Sequence, residues 1–252
     1  MDQVLENRRQ NPLTYENEID NYKQDHFQLH WNEKINNYWS FNLGLNYTDG
    51  RGYFEQYKED DDINTYGGIV KSDIDSNGQE TGTTDLIRRR WLDNDFYVLN
   101  SSINYIKDKI DLTLSSSYSS YVGDHYGEVI WARSLSNTGE IRDRYYEGLG
   151  EKKDLSFFAK LLYSINKKTE LYTDIQLRGV KYNTSGITSD LINMVFDKSY
   201  NFFNPKIGLS YKLNSSSLIY ASYARANREP NRTDFESNSK ICLLYTSPSP
   251  RD

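Results

Sequence analysis

Asp124, His125 and Glu128 bring two carboxylates and an imidazole into one short stretch, the densest metal-ligating or acid–base group in the sequence. Such groups bind divalent metals or exchange protons when a fold converges them. A metal, however, needs further ligands that the surrounding sequence does not place, and the same three residues serve as a hydrogen-bonded cluster that orients a loop. Trp131 and Arg133 follow, an aromatic face and a guanidinium suited to stacking on and pairing with a ligand, or to packing within a loop. Arg88, Arg89 and Arg90 stand before Trp91. With Arg88 and Arg90 on one face of a strand, they would focus a positive potential toward an anion; Asp93 and Asp95 are at hand as the alternative partners. Arg225, Arg228 and Arg232 invite the same two readings. The run Glu59 to Asp62 lacks the ordered spacing and glycine of a hand-type calcium loop and reads as solvated.

Nucleophilic catalysis finds no motif. The only histidines are His26, His30 and His125, and no nucleophile, base and orienting group are spaced to meet. The single cysteine, Cys242, lies near the C-terminal end. No catalytic group, resident metal or cofactor is therefore expected.

Whatever binds must be positioned by strands. From Trp39 to Thr48 every second residue is large and apolar (Trp39, Phe41, Leu43, Leu45, Tyr47), alternating with Ser40, Asn42, Gly44, Asn46 and Thr48. That period puts one set on each face of a β-strand. Eight steps at roughly 3.3 Å give about 26 Å along the strand, and a tilt of about 40° makes that roughly 20 Å of height, close to the ~25 Å lipid-facing band of a membrane barrel. Further pairs of strands are expected at 22–31 with 39–48, 95–105 with 110–121, 155–163 with 171–182, and 203–211 with 218–225. The same reasoning makes Leu112, Leu114, Phe157 and Leu161 lipid-facing together with Trp39, Phe41, Leu43, Leu45 and Tyr47. In the last strand both Ile219/Ala221/Tyr223 and Leu218/Tyr220 are open as the outward row. Short turns near 34, 108, 167 and 214 alternate with long excursions at 49–85, 122–153 and 183–200, the asymmetry of an up-and-down membrane barrel. The first excursion, acidic and containing Gly67 and Gly68, is expected to be locally irregular.

Composition fits. No apolar run is long enough for a membrane helix, and a mean hydropathy of −0.81 does not exclude a barrel, whose inward rows and loops are polar. Tyrosine is abundant, 22 residues against 10 Phe and 4 Trp, suiting both a membrane–water belt and a polar wall. A net charge of −6 without a basic stripe argues against nucleic acid as partner. Residues 1–10 are charged and lack the apolar core of a secretory signal, so an upstream start is expected. From 241 the composition changes abruptly, and Cys242–Asp252 reads as adapter-derived rather than native sequence.

Several stretches resemble TonB-dependent outer-membrane receptors, particularly those of Bacteroidetes type, over 15–235. They are Tyr-Glu-Asn-Glu-Ile-Asp-Asn-Tyr from Tyr15, Gly-Arg-Gly-Tyr-Phe-Glu-Gln-Tyr from Gly50, Asp-Leu-Ile-Arg-Arg-Arg-Trp-Leu from Asp85, Gly-Asp-His-Tyr-Gly-Glu-Val-Ile-Trp-Ala-Arg from Gly123, Phe-Phe-Asn-Pro-Lys from Phe202, and Arg228-Glu229-Pro230-Asn231. The resemblance implies part of an active importer of siderophores, haem, cobalamin or glycans, resident in the outer membrane of a Gram-negative bacterium and driven by the TonB system through a plug that this sequence lacks.

The expected fold is all-β: an antiparallel up-and-down transmembrane β-barrel fragment of about eight strands in an open curved sheet. Residues 1–21 are expected to be a loop or strand remnant, 22–236 a partial barrel and 241–252 the non-native tail. Its partners would be outer-membrane lipid, TonB through the plug, and a small-molecule or glycan ligand met by Arg88, Arg90, Asp124, His125, Glu128, Trp131, Arg133, Arg225 and Arg228. A small closed eight-stranded barrel with an anchoring or adhesive role is the alternative, and a barrel enzyme using Asp124 and His125 a third reading.

Overall fold

The structure is a computed structural model that describes residues 15–231, 234 and 235. The remnant read over 1–21 therefore falls largely outside the described residues, and the tail read over 241–252 lies wholly outside them, as does Arg232. Strands β1 (Asp20–Lys34), β2 (Trp39–Asp62), β3 (Thr83–Lys107), β4 (Ile110–Ala132), β5 (Arg144–Ser164), β6 (Thr169–Gly186), β7 (Phe196–Lys212) and β8 (Leu218–Ala224) cross one sheet in chain order. Each is antiparallel to the next. β1 and β8 are the edges, so the described strands form an open sheet and not the closed eight-stranded alternative.

Asparagine side chains shape most of the short turns. Asn36 Oδ1 accepts from Tyr38 N and Trp39 N at 2.9 and 3.1 Å, Asn166 Oδ1 from Lys168 N and Thr169 N at 2.9 and 3.0 Å, and Asn214 Oδ1 from Ser216 N at 2.9 Å. Each bond holds the backbone two or three residues on in a reversal. The β3–β4 turn instead places Asp108 at φ 49°, the left-handed region that Asp tolerates better than most residues.

Register sorts the side chains. Trp39, Phe41, Leu43, Leu45 and Tyr47 lie opposite Tyr105, Ile103, Ser101, Leu99 and Tyr97. That row meets Leu112, Leu114, Ser116 and Tyr118 of β4, and these meet Leu161, Ala159, Phe157 and Leu155 of β5. All the residues expected to meet lipid thus share one apolar face. Ser101 and Ser116, the polar interruptions, bond to each other at 2.8 Å. Aromatic pairs bound the apolar rows: Trp39–Tyr105 at the short-turn end and Tyr47–Tyr97 above, each with centroids 4.6 Å apart. In β8 the pairing of Ile219, Ala221 and Tyr223 with Tyr211, Leu209 and Ile207 assigns that row, not Leu218 and Tyr220, to the apolar face.

At the long-loop end the strands run well past the apolar band, which corrects the expected irregular excursion. β2 continues to Asp62, a 3-10 turn spans Ile63–Tyr66, and β3 begins at Thr83. Ladder hydrogen bonds do not need apolar alternation, and cross-strand pairs such as Glu55–Arg89 (2.7 Å) and Arg51–Asp93 (3.4 Å) take its place. Gly67 and Gly68, at φ 58° and 84°, end the 3-10 turn in a conformation that a side chain would strain. Above the strands the loops fold on one another. Tyr66, Ile69, Val70, Leu86, Val129, Tyr145 and Tyr146 form a buried cluster, and Lys71 N→Ser134 O (3.1 Å) and Ser136 N→Ile69 O (3.0 Å) tie the two loops together. This small core caps one end of the sheet.

Candidate functional site

The strand geometry separates the group that the sequence placed together. Successive residues of a strand point to opposite faces. His125 belongs to the polar face, whereas Asp124 and Glu128 stand with Tyr126 on the other. Asp124 lies 3.6 Å from Arg144; burial raises its carboxyl above the usual range, with Arg144 pulling the other way. Glu128, buried, accepts from Trp91 Nε1 at 2.8 Å. Among the described residues no group of three or more acidic, His or Cys side chains could hold a metal.

The arginines divide by commitment. Arg88 and Arg90 do share the polar face, but Arg88 is occupied by Gln56 Oε1 (2.9 Å) and Tyr66 Oη (3.1 Å) beneath the cap. Arg90 donates to Ser189 Oγ at 2.9 Å. Arg133 is a structural clamp: it donates to Asp73 at 3.0 Å and closely to Asp85. Trp131, beside it in sequence, is exposed. Arg225 ends the β7–β8 ladder, its N–H donating to Pro205 O at 3.0 Å.

Asp73 and Asp85 are expected to make the cap sensitive to acid. Burial pushes both carboxyls up, but donors outweigh it: Ser134, Thr84 and Arg133 for Asp73, and Tyr57, the Asp60 N–H and Arg133 for Asp85. Both are held below the ordinary carboxylate value. A carboxylate depressed on folding contributes stability above its unfolded pKa, about 3.9, and loses it as pH falls through the folded one. Amide hydrogen exchange over 69–85 and 133–136 is therefore expected to accelerate below about pH 4, ahead of the amides of the apolar band. Unchanged protection in the cap down to pH 3 would contradict this.

One cavity gathers several candidates with residues that the sequence did not single out. It encloses about 530 Å³ on the polar face. His125 of β4, Lys152 of β5 and Arg178 of β6 form its wall, and Arg228 with Glu229 covers it. The cover exists because of Pro205. In an antiparallel ladder Pro205 would exchange two bonds with Arg225, but proline has no N–H to return. The chain leaves the sheet there. Asn204 takes over with its side chain: Oδ1 accepts from Asn227 N at 2.7 Å and Nδ2 donates to Asn227 O at 3.2 Å. The amide thus stands in for a strand backbone.

The diverted segment, 225–231, carries Glu229 inward. Its carboxylate accepts from Lys152 Nζ at 2.5 Å and from both terminal nitrogens of Arg178 at 2.8 and 3.0 Å. Arg178 Nε also donates to Asp154 at 2.8 Å. Burial opposes ionisation of Glu229, yet these donors hold it down to about 2. Lys152, Arg178 and Glu229 escaped the sequence reading because their positions in the chain are distant; the one available signal was the Arg-Glu-Pro-Asn stretch itself.

The comparisons agree with this architecture. A family profile described as TonB dependent receptor-like, beta-barrel, matches residues 3–248. Among solved structures, the ferric-catecholate import receptor Fiu of E. coli K12 is similar in its open form, with a TM-score of 0.59 and 13% identity over 84% of this chain and 36% of that one. Its closed form gives 0.55 and 14% over 81% and 33%. The chain therefore spans about a third of the length of this receptor. Among curated proteins none matches. With the profile covering nearly all of the sequence, and the strand order and faces of a barrel wall, the chain belongs to the TonB-dependent receptor-like β-barrel family.

Proposed function

We propose that this chain is a section of the wall of an outer-membrane active transporter for a siderophore-type chelate or another scarce nutrient. The apolar face, with Phe41, Leu43, Leu45, Leu112, Leu114, Phe157 and Leu161 between aromatic rows, meets lipid. The polar face lines the lumen, and the cap with its long strands stands outside the cell. TonB acts through a plug domain of the same receptor. The observation that carries this reading is the two-faced sheet: an apolar band bounded by aromatic pairs on one side, and a charged cavity under a folded segment on the other. His125 and Arg228 line that cavity and are in this reading the residues nearest a ligand, with Arg90 on the same face. Asp124, Glu128, Trp131 and Arg133 instead build or decorate the extracellular end. The chain is not an enzyme in this reading.

The receptor seen in both similar structures is named for ferric-catecholate import, so a ferric catecholate is the first ligand to offer. Cells lacking their own catecholate receptors, expressing the complete receptor, are expected to accumulate radiolabelled iron from it only when TonB is active. Haem, cobalamin and glycans extend the panel. Uptake that ignores TonB, or no uptake of any compound by correctly inserted receptor, would overturn the assignment.

A further inference from the structure

The Glu229 contact has the form of a ligand bound to a receptor. A planar carboxylate sits in the fork of Arg178, both terminal nitrogens engaged, with Lys152 as a third donor. Bidentate guanidinium–carboxylate pairing is strong and geometrically selective. The segment that delivers the carboxylate is held at few points. Of 225–231 only Asn227 and Glu229 are not exposed; Asn227 bonds Asn204 and the Phe203 carbonyl, Glu229 the two cations, and the backbone adds Arg225 N to Pro205 O. Lys152 keeps 38% of its side chain accessible, so the pair can be reached from the adjoining cavity.

Charge reinforces the point. Lys152 and Arg178 are balanced by Asp154 and Glu229. Withdrawing Glu229 leaves two cations against one anion at a partly desolvated site, an arrangement that calls for a replacement anion. We infer that Lys152 and Arg178 form a carboxylate-binding site on the polar wall, that Glu229 is its built-in occupant, and that a carboxylate-bearing small molecule entering the cavity takes over these donors as segment 225–231 lifts away. The inference rests on the uptake reading only for the role of this face as the one that meets ligand. Its readout is binding to purified protein, which needs neither TonB nor transport, so the two can fail separately.

The probe is citrate, with its neutral trimethyl ester as control, titrated calorimetrically into the complete receptor in detergent. Glu229→Ala is expected to bind citrate at least tenfold more tightly than the unaltered receptor, and the ester not at all. Adding Arg178→Gln to Glu229→Ala should abolish the gain. In the unaltered receptor, saturating citrate should speed hydrogen exchange across 225–231 while the β5–β6 ladder stays protected. If Glu229→Ala does not give the heat-modifiable gel mobility of a folded barrel, Glu229→Gln, which keeps the shape and removes the charge, carries the same expected direction. Equal citrate affinity with and without the Glu229 carboxylate, in folded protein, would overturn the inference, as would a gain that survives loss of Arg178.

Discussion

Leu114→Arg is expected to abolish stable insertion, because it places a guanidinium in the middle of the apolar face. Leu114 is 45% exposed and is flanked by Ile103 and Ala159 on the neighbouring strands. An arginine on the lipid side at mid-depth costs ~2–4 kcal/mol in a membrane barrel, a large share of the stability of most folded domains. The control is Ser117→Arg, three residues on but on the opposite face, beside a cavity of about 380 Å³ that has room for it. Membrane fractions should contain little Leu114→Arg receptor in its heat-modifiable form, and near-normal amounts of Ser117→Arg. The reverse ranking would mean that the apolar rows pack against protein and not against lipid.

The second large effect belongs to the cap. Leu86 is fully buried among Tyr66, Val129 and Tyr145, and truncating it to alanine should cost about 2–5 kcal/mol through lost contacts and the cavity left behind. The loss is expected to be local. The cap cluster shares no residue with the apolar band, and regions with separate cores open separately. Leu86→Ala receptor should therefore be cut by protease within 63–82 and 133–143 while its heat-modifiable mobility persists. Simultaneous loss of both would show cap and wall to be one cooperative unit.

How much of this could be read from residues alone depended on which force shaped each part. Where the sheet has a greasy side, strict alternation announces both the strand and its facing, as at Trp39 to Tyr47 and along Leu112 and Leu114. Above Tyr47 the alternation stops but the strand does not. Hydrogen bonds and charge pairs such as Glu55–Arg89 sustain the ladder there and leave no periodic trace, so the excursions looked longer and looser than they are. The Asp124–His125 pairing failed for an elementary reason: neighbours within a strand face apart, and the strand was expected to stop before them. Arg133 was recognised as chemically capable, but its carboxylate partners, Asp73 and Asp85, are 60 and 48 positions away. Glu229 and Arg178, 51 apart, are brought together by Pro205, whose missing N–H was legible and whose consequence was not.

Strand order carries a last implication. Among the described residues every strand bonds only to its predecessor and successor along the chain, so this part of the wall is a linear array in which no segment must thread past another. Growth hairpin by hairpin is then geometrically available from either side. Until the ring closes, however, two outermost strands always carry a row of unmatched amide and carbonyl groups, which hydrocarbon penalises heavily. In the outer-membrane setting proposed above, biogenesis consequently requires that each new hairpin find its partner as it enters the bilayer, and that something shield the advancing margins until they join.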